Sequence, residues 1–350
     1  MTLPALPRRQ LLAALALPFI ARAAQASPDA NAMPDDRFPR GATLLIAGPA
    51  GGALDRVADQ LGAGLQAHLP AGTQLHHDPV GGVDGVTGAN IFANQINPNG
   101  ATALLVPGAA SLAWLAGDSR VHFDPSRWLP ILARTTPAFV VGRTGSPAIG
   151  PGTRLRVASG GPISPALAAM LAVDLLGADV HPVYGLGDDD EALAALVDNR
   201  VDVVLLRGQQ HLASLNSRAT DVTPQFALGT PSADGTFERD PLAPNVPTLV
   251  EYNAGQGYAP TGGVRFAAWA CSASAAQLQY ALVLPGLSPA STVALWRGAG
   301  AQALAPDLAS SVEIVYDSAA SAVLRALCPS GAALLQLRGW LADRLGWQPG

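Results

Sequence analysis

The chain has 350 residues, a formal net charge of −5 and 49% hydrophobic residues, enough apolar material for two domains of ordinary size and too much for a disordered chain. All 21 basic residues are arginine, which removes phosphate-loop lysines, Schiff-base lysines and Ser-Lys dyads from consideration. With 5% aromatic residues the chain offers few stacking platforms, and its acidic balance disfavours DNA and anionic lipid, so nucleic acid is not an expected partner.

Residues 1–26 read as an export signal: Arg8-Arg9 precede the apolar run Leu11–Ile20, and Ala24-Gln25-Ala26 is a small-residue cleavage site. The run is too short to span a bilayer. The paired arginines and Arg22 near the cleavage site are similar to a bacterial twin-arginine signal, with the general secretory route as the alternative. Cleavage removes three arginines and no acid, so the mature chain, expected in the periplasm, is more acidic still. Residues 27–40 then read as a linker.

The organising stretch is Thr43–Asp55. Leu44–Ala47 is a short apolar strand stopped by Gly48-Pro49, and Leu54, Val57, Leu61, Leu65 and Leu69 recur at helical spacing from near Gly52. Strand, glycines and helix N-terminus together make an anion site or a plain tight turn. The order is neither G-x-G-x-x-G nor G-K-[ST], so nucleotide is disfavoured. Next come a strand from Thr73 to His77, a glycine loop from Asp78 to Gly82, a helix over Gly88–Ile96, a Pro98-Asn99-Gly100 turn and a strand over Ala103–Pro107. The order βαβαβ is the unit of a parallel sheet, which places ligands at its carboxyl edge. His76-His77-Asp78 has adjacent side chains pointing apart on a strand, so no metal site is expected there.

Four stretches in order carry a resemblance. Ile46-Ala47-Gly48-Pro49-Ala50-Gly51-Gly52-Ala53-Leu54-Asp55 is similar to a strand followed by P-F-x-x-G-G-x-x-D, and Asp78–Ala89 follows E-N-x-P-G-A-G-G-x-x-G-A loosely, with Gly82, Gly85, Gly88 and Ala89 in place. Pro98–Leu105 resembles P-D-G-x-T-L-L, and Phe123–Ile131 resembles Y-D-P-x-x-D-F-x-P-I. The chain thus resembles the tripartite tricarboxylate transporter solute-binding proteins, the TctC or Bug family of periplasmic receptors. The likeness runs through Phe139–Val141, a strand expected to cross between lobes, and Val157–Gly161 before a helix over Pro165–Leu176. It continues through His181–Tyr184, Arg200–Leu206 and Asn245–Glu251 to three closing helices, over 291–303, 318–327 and 332–345.

The resemblance implies an α/β fold of the two-lobed periplasmic-binding-protein type, similar to type II, with two doubly wound sheets and a ligand cleft between lobes. Lobe 1 would comprise 41–137 plus 277–350 and lobe 2 would comprise 138–276. It also implies a monomeric receptor, not an enzyme and without cofactor, that captures a small organic carboxylate for the membrane subunits of such a transporter. The expected ligand residues are Pro49, Ala50, Gly51, Gly52, Ala53 and Asp55 in the first turn, Ser159, Gly160, Gly161 and Ser164 in the second, with Tyr184 and Arg207.

The chain departs from the family in two places. Its second turn is about one residue shorter, with Pro162-Ile163 where hydroxyls are usual, and Arg207 stands where an acid is common. Arg207 suits an anion or a surface ion pair equally. Asp188–Glu191 suits capping of a helix start. Cys271 and Cys328 are open to a disulfide or two buried thiols, and 255–276 reads as irregular. The alternatives are a sensor or protein-interaction subunit with a degenerate cleft and an exported hydrolase. The hydrolase lacks support, since no G-x-S-x-G occurs and Ser159 has no evident base.

Overall fold

The structure, a computed structural model, describes residues 38, 40–217, 221–232, 236–258, 262–303 and 314–348. The expected export signal and nearly all of the expected linker lie outside the described residues.

Two mixed sheets with helices packed on them organise the chain. In the first, β1 (Gly41–Ala47) pairs in parallel with β2 (Gln74–Val80) and β3 (Thr102–Pro107), as the βαβαβ pattern requires. The intervening helices are α1 (Ala53–His68) and α2 (Val86–Gln95). Leu61 and Leu65 of α1 are buried, while Leu54 and Val57, in the same stripe, are only partly so. After β3 the chain turns at once into α3 (Gly108–Ala116), which the sequence reading passes over. Almost every residue of α3 is buried, so it has no polar face to mark a helical period. Then β4 (Trp128–Thr135) returns to the same sheet.

Thr136 and Pro137 carry the chain into the second sheet, where β5 (Ala138–Arg143) lies between two antiparallel neighbours, β8 (Val203–Arg207) and β9 (Val222–Ala227). Phe139–Val141 is therefore an interior strand of the second sheet, and the crossing is made by Thr136-Pro137. Its fully buried Phe139, Val140 and Val141 pack on both faces, as a central strand must. The rest of this sheet is β6 (Arg154–Ala158) and β7 (Asp179–Val183), in the order β7-β6-β8-β5-β9. Its helices are α4 (Leu167–Leu175), α5 (Asp189–Val197) and α6 (Gln209–Ser217).

A small hairpin of β10 (Thr230–Pro231) and β11 (Phe237–Glu238) leads to α7 (Leu249–Gly255), which opens on a reciprocal capping box between Thr248 and Glu251. The segment read as irregular holds one 15-residue helix, α8 (Gly263–Gln277). Its Ala, Ser and Cys residues blur the amphipathic pattern because nearly all of its second half is buried, with Trp269 fully enclosed. Then β12 (Leu278–Pro285) returns to the first sheet between β3 and β4, and β13 (Ile314–Tyr316) forms its far edge. Helices α9 (Ala290–Ala303), α10 (Asp317–Ala326) and α11 (Gly331–Leu345) start within one residue of expectation.

Cys271 and Cys328 are free thiols. Cys271 donates to the Ala268 carbonyl at 3.1 Å, and burial pushes its thiol up to about 12 and that of Cys328 to about 11, so both stay protonated and unreactive at neutral pH.

Candidate ligand cleft

The carboxyl ends of β1, β3 and β8 open on one cavity of about 450 Å³. Five helices begin around it: Ala53 of α1, Gly108 of α3, Pro165 just before α4, Asp189 of α5 and Gly208 just before α6 all line it. Helix starts carry partial positive charge, so the field in this cavity favours an anion.

The first glycine turn is compact. Gly52 N–H donates to the Pro49 carbonyl at 3.0 Å, and Gly51 N–H donates to the Asp55 carboxylate at 2.7 Å. Asp55 therefore faces its own turn as an internal anion, and two of the N–H groups expected to meet a ligand are spent. Gly51 has φ +71° with nothing within 4 Å of where a Cβ would sit, so it is there for left-handed backbone and not for clearance. A Cβ on Gly52 would lie 2.8 Å from the Pro49 carbonyl oxygen. Because Gly52 caps α1 without a side chain, the Ala53 and Leu54 N–H groups meet no acceptor among the described residues, and both residues line the cavity.

The second glycine turn is closed on itself. The buried Ser159 hydroxyl donates to the Gly161 carbonyl at 2.7 Å and lies 2.8 Å from the Ser164 hydroxyl. Leu167 and Ala168 N–H, which would open α4, donate instead to Ser164 and Pro165 carbonyls at 2.9 and 3.1 Å. Gly160 is there for packing: a Cβ would stand 3.0 Å from Gly187 Cα, in the neighbouring loop that Ser159 also hydrogen-bonds.

Across the cavity, Arg207 ends β8 with its side chain about a third exposed. Its Nε is 3.7 Å from Asp189 Oδ2, beyond hydrogen-bond length, and its guanidinium makes no hydrogen bond among the described residues. Asp189 accepts the Arg207 backbone N–H at 3.1 Å, and His211 Nε2 is 3.7 Å from the same oxygen. Burial pushes the Asp189 carboxyl above its usual range, against the opposing pull of Arg207 and His211. Capping of α5 falls to Asp188, which accepts Asp190 and Glu191 N–H. Thr136, at the crossing between sheets, also lines the cavity, and its buried hydroxyl has no partner among the described residues.

Of the residues expected at the site, Pro49, Ala53 and Arg207 line this cavity. Ala50, Gly51, Gly52, Asp55, Ser159, Gly160, Gly161, Ser164 and Tyr184 do not, and Tyr184 lies 44% exposed beyond β7. Asp189 and Thr136 line it without being expected there. Asp189 sits in an acidic run that looks like capping throughout, and Thr136 has no motif to mark it.

No protein-family model matches the chain, and no curated protein matches it. Solved structures do. A TctC solute-binding protein from Polaromonas, without ligand, superposes with a TM-score of 0.57 at 15% identity over 87% of this chain and 98% of its own. An R. palustris protein with adipate gives 0.51 at 17% identity over 88% and 98%. The chain has the mixed α/β fold of these binding proteins, with its two sheets.

Proposed function

We propose that this protein is an extracytoplasmic solute-binding receptor that captures a small carboxylate in the cavity between β1, β3 and β8. The observation that carries the reading is Arg207: a guanidinium lining a cavity ringed by helix starts, with no hydrogen bond to a described residue and only a loose ion pair, to Asp189 at 3.7 Å. The free Ala53 and Leu54 N–H groups supply a second set of donors. A carboxylate spanning the two would gain charge-assisted bonds from both. The adipate in the R. palustris relative of this fold supports the same ligand class.

The division into lobes 41–137 plus 277–350 and 138–276 is part of this reading and is supported by which strands join which sheet. Delivery to membrane subunits of a tripartite tricarboxylate-type transporter and action as a monomer in the periplasm rest on the sequence resemblance and the export signal. Replacing Arg8 and Arg9 by lysine should then stop export if the twin-arginine route carries it.

A hydrolase is less well supported, since the Ser159 hydroxyl is held by Gly161 and Ser164 rather than by a base. The test is a thermal-shift panel of mono-, di- and tricarboxylates on the purified mature chain. A carboxylate that raises the melting temperature without being consumed supports the receptor, and a flat response across the panel refutes it.

A further inference from the structure

The charges in the cavity are few enough to define a second group on the ligand; this inference rests on the carboxylate-receptor reading. Among the described residues lining the cavity, Arg207 is the only cation and Asp189 the only acid. They do not satisfy one another. Oδ2 of Asp189 takes the Arg207 backbone N–H, the guanidinium stays 3.7 Å away, and Oδ1 makes no hydrogen bond with any described residue. The lining also has aliphatic Leu54, Val57, Val83 and Leu112, with Thr136, Gln210, Gln279 and Tyr280 as its uncharged polar side chains.

A dicarboxylate fits this distribution badly. No second side-chain cation lines the cavity to receive its other carboxylate, and close to Arg207 that carboxylate would lie beside Asp189. Asp189 is also unnecessary to the helix it begins, because Asp188 does the capping. A largely enclosed carboxylate that does not cap, whose Oδ2 has the Arg207 guanidinium and His211 only at 3.7 Å and whose Oδ1 has no hydrogen bond to a described residue, leaves an acceptor open to a cationic donor.

We propose that the cavity takes a neutral amino acid with an apolar side chain: its carboxylate on Arg207 and the free N–H groups of Ala53 and Leu54, its ammonium on Asp189, and its side chain along Leu54, Val57 and Leu112. The upward displacement of the Asp189 carboxyl agrees with this, since an arriving ammonium replaces the hydration that burial removed.

The test is titration calorimetry on the mature chain with alanine, valine and leucine, their amine-free counterparts propionate, isovalerate and isocaproate, and adipate. At least one amino acid should bind about tenfold or more tightly than its amine-free counterpart, as loss of a charge-assisted bond predicts. Asp189→Asn, which keeps an acceptor for the Arg207 N–H, should bring that pair to within about threefold while preserving the thermal melt. Equal binding of amino acid and counterpart by the natural chain, a preference unchanged in Asp189→Asn, or tighter binding of adipate than of every amino acid would overturn the proposal and leave the carboxylate receptor standing. Failure of all seven compounds to bind would overturn the proposal, and a flat thermal-shift panel beside it would remove the receptor as well.

Discussion

The two glycine turns, Gly48–Gly52 and Ser159–Ser164, look alike in sequence and do different work. Each follows a strand and precedes a helix. In the first, Gly52 is itself the cap of α1, so the helix opens directly into the cavity with free N–H groups. In the second, Pro162 to Pro165 add a turn of chain before α4, the Ser164 and Pro165 carbonyls take the Leu167 and Ala168 N–H groups, and the Ser159 hydroxyl oxygen takes that of Gly161. In this chain the number of residues between the last glycine and the first helical residue separates a helix start with free N–H groups from one whose donors are taken.

The largest expected effect lies with the group that neither turn supplies. Arg207→Gln should weaken carboxylate binding by about a hundredfold or more, since a charge-assisted bond to a carboxylate is worth roughly 1.5–3 kcal/mol and the fork makes two. Equilibrium dialysis with the ligand found in the panel would measure it. Next is Ala53→Pro. Gly52 has φ −72° and ψ 176°, the conformation required before proline, and the first helical position tolerates proline. The helix should therefore survive with one donor missing, giving about tenfold weaker binding at an unchanged melting temperature. The same dialysis with a parallel melt checks both halves.

In the closed turn the expectation reverses. Ser159→Ala should lower stability by about 1 kcal/mol in urea titration through the lost Gly161 and Ser164 bonds, and change affinity little. A loss of affinity without a loss of stability would put the second turn back into the site.

The acid facing Arg207 gives a pH dependence. The folded-state carboxyl of Asp189 titrates above its unfolded value, so its protonated form is favoured by folding. Its contribution to stability is full below the unfolded value and fades as pH rises through the raised one. Amino-acid affinity should move the other way, falling as pH drops through that raised range, with Arg207, His211 and Asp188 as the neighbouring charges. Calorimetry from neutral pH downward, with Asp189→Asn as control, tests it. The smallest effect concerns Thr136→Val, which removes a buried hydroxyl without a described partner. It should raise unliganded stability slightly and weaken binding a few-fold if the hydroxyl meets the ligand.

Periodicity made most of the fold legible. Leu61 and Leu65 announced α1, the apolar runs announced β1 and β3, and the order βαβαβ announced a parallel pairing that β1, β2 and β3 adopt. What stayed hidden was buried on all sides. In α3 and α8 small apolar residues face neighbours in every direction, which erases the polar stripe that reveals a helix. At the cavity, Ala53 and Arg207 were legible because one starts and the other ends an element, and Pro49 because it lies in the turn that follows β1. Asp189 was hidden in the run Asp188–Glu191, where only three-dimensional packing separates the residue that caps from the one that turns toward Arg207.

The most direct test is a side-by-side calorimetric titration of the natural chain and Arg207→Gln with the carboxylate that gives the largest thermal shift. The natural chain should bind it at a single site, and Arg207→Gln, folded by its melt, should bind it about a hundredfold or more weakly. Undiminished binding by Arg207→Gln would contradict a receptor site in this cavity.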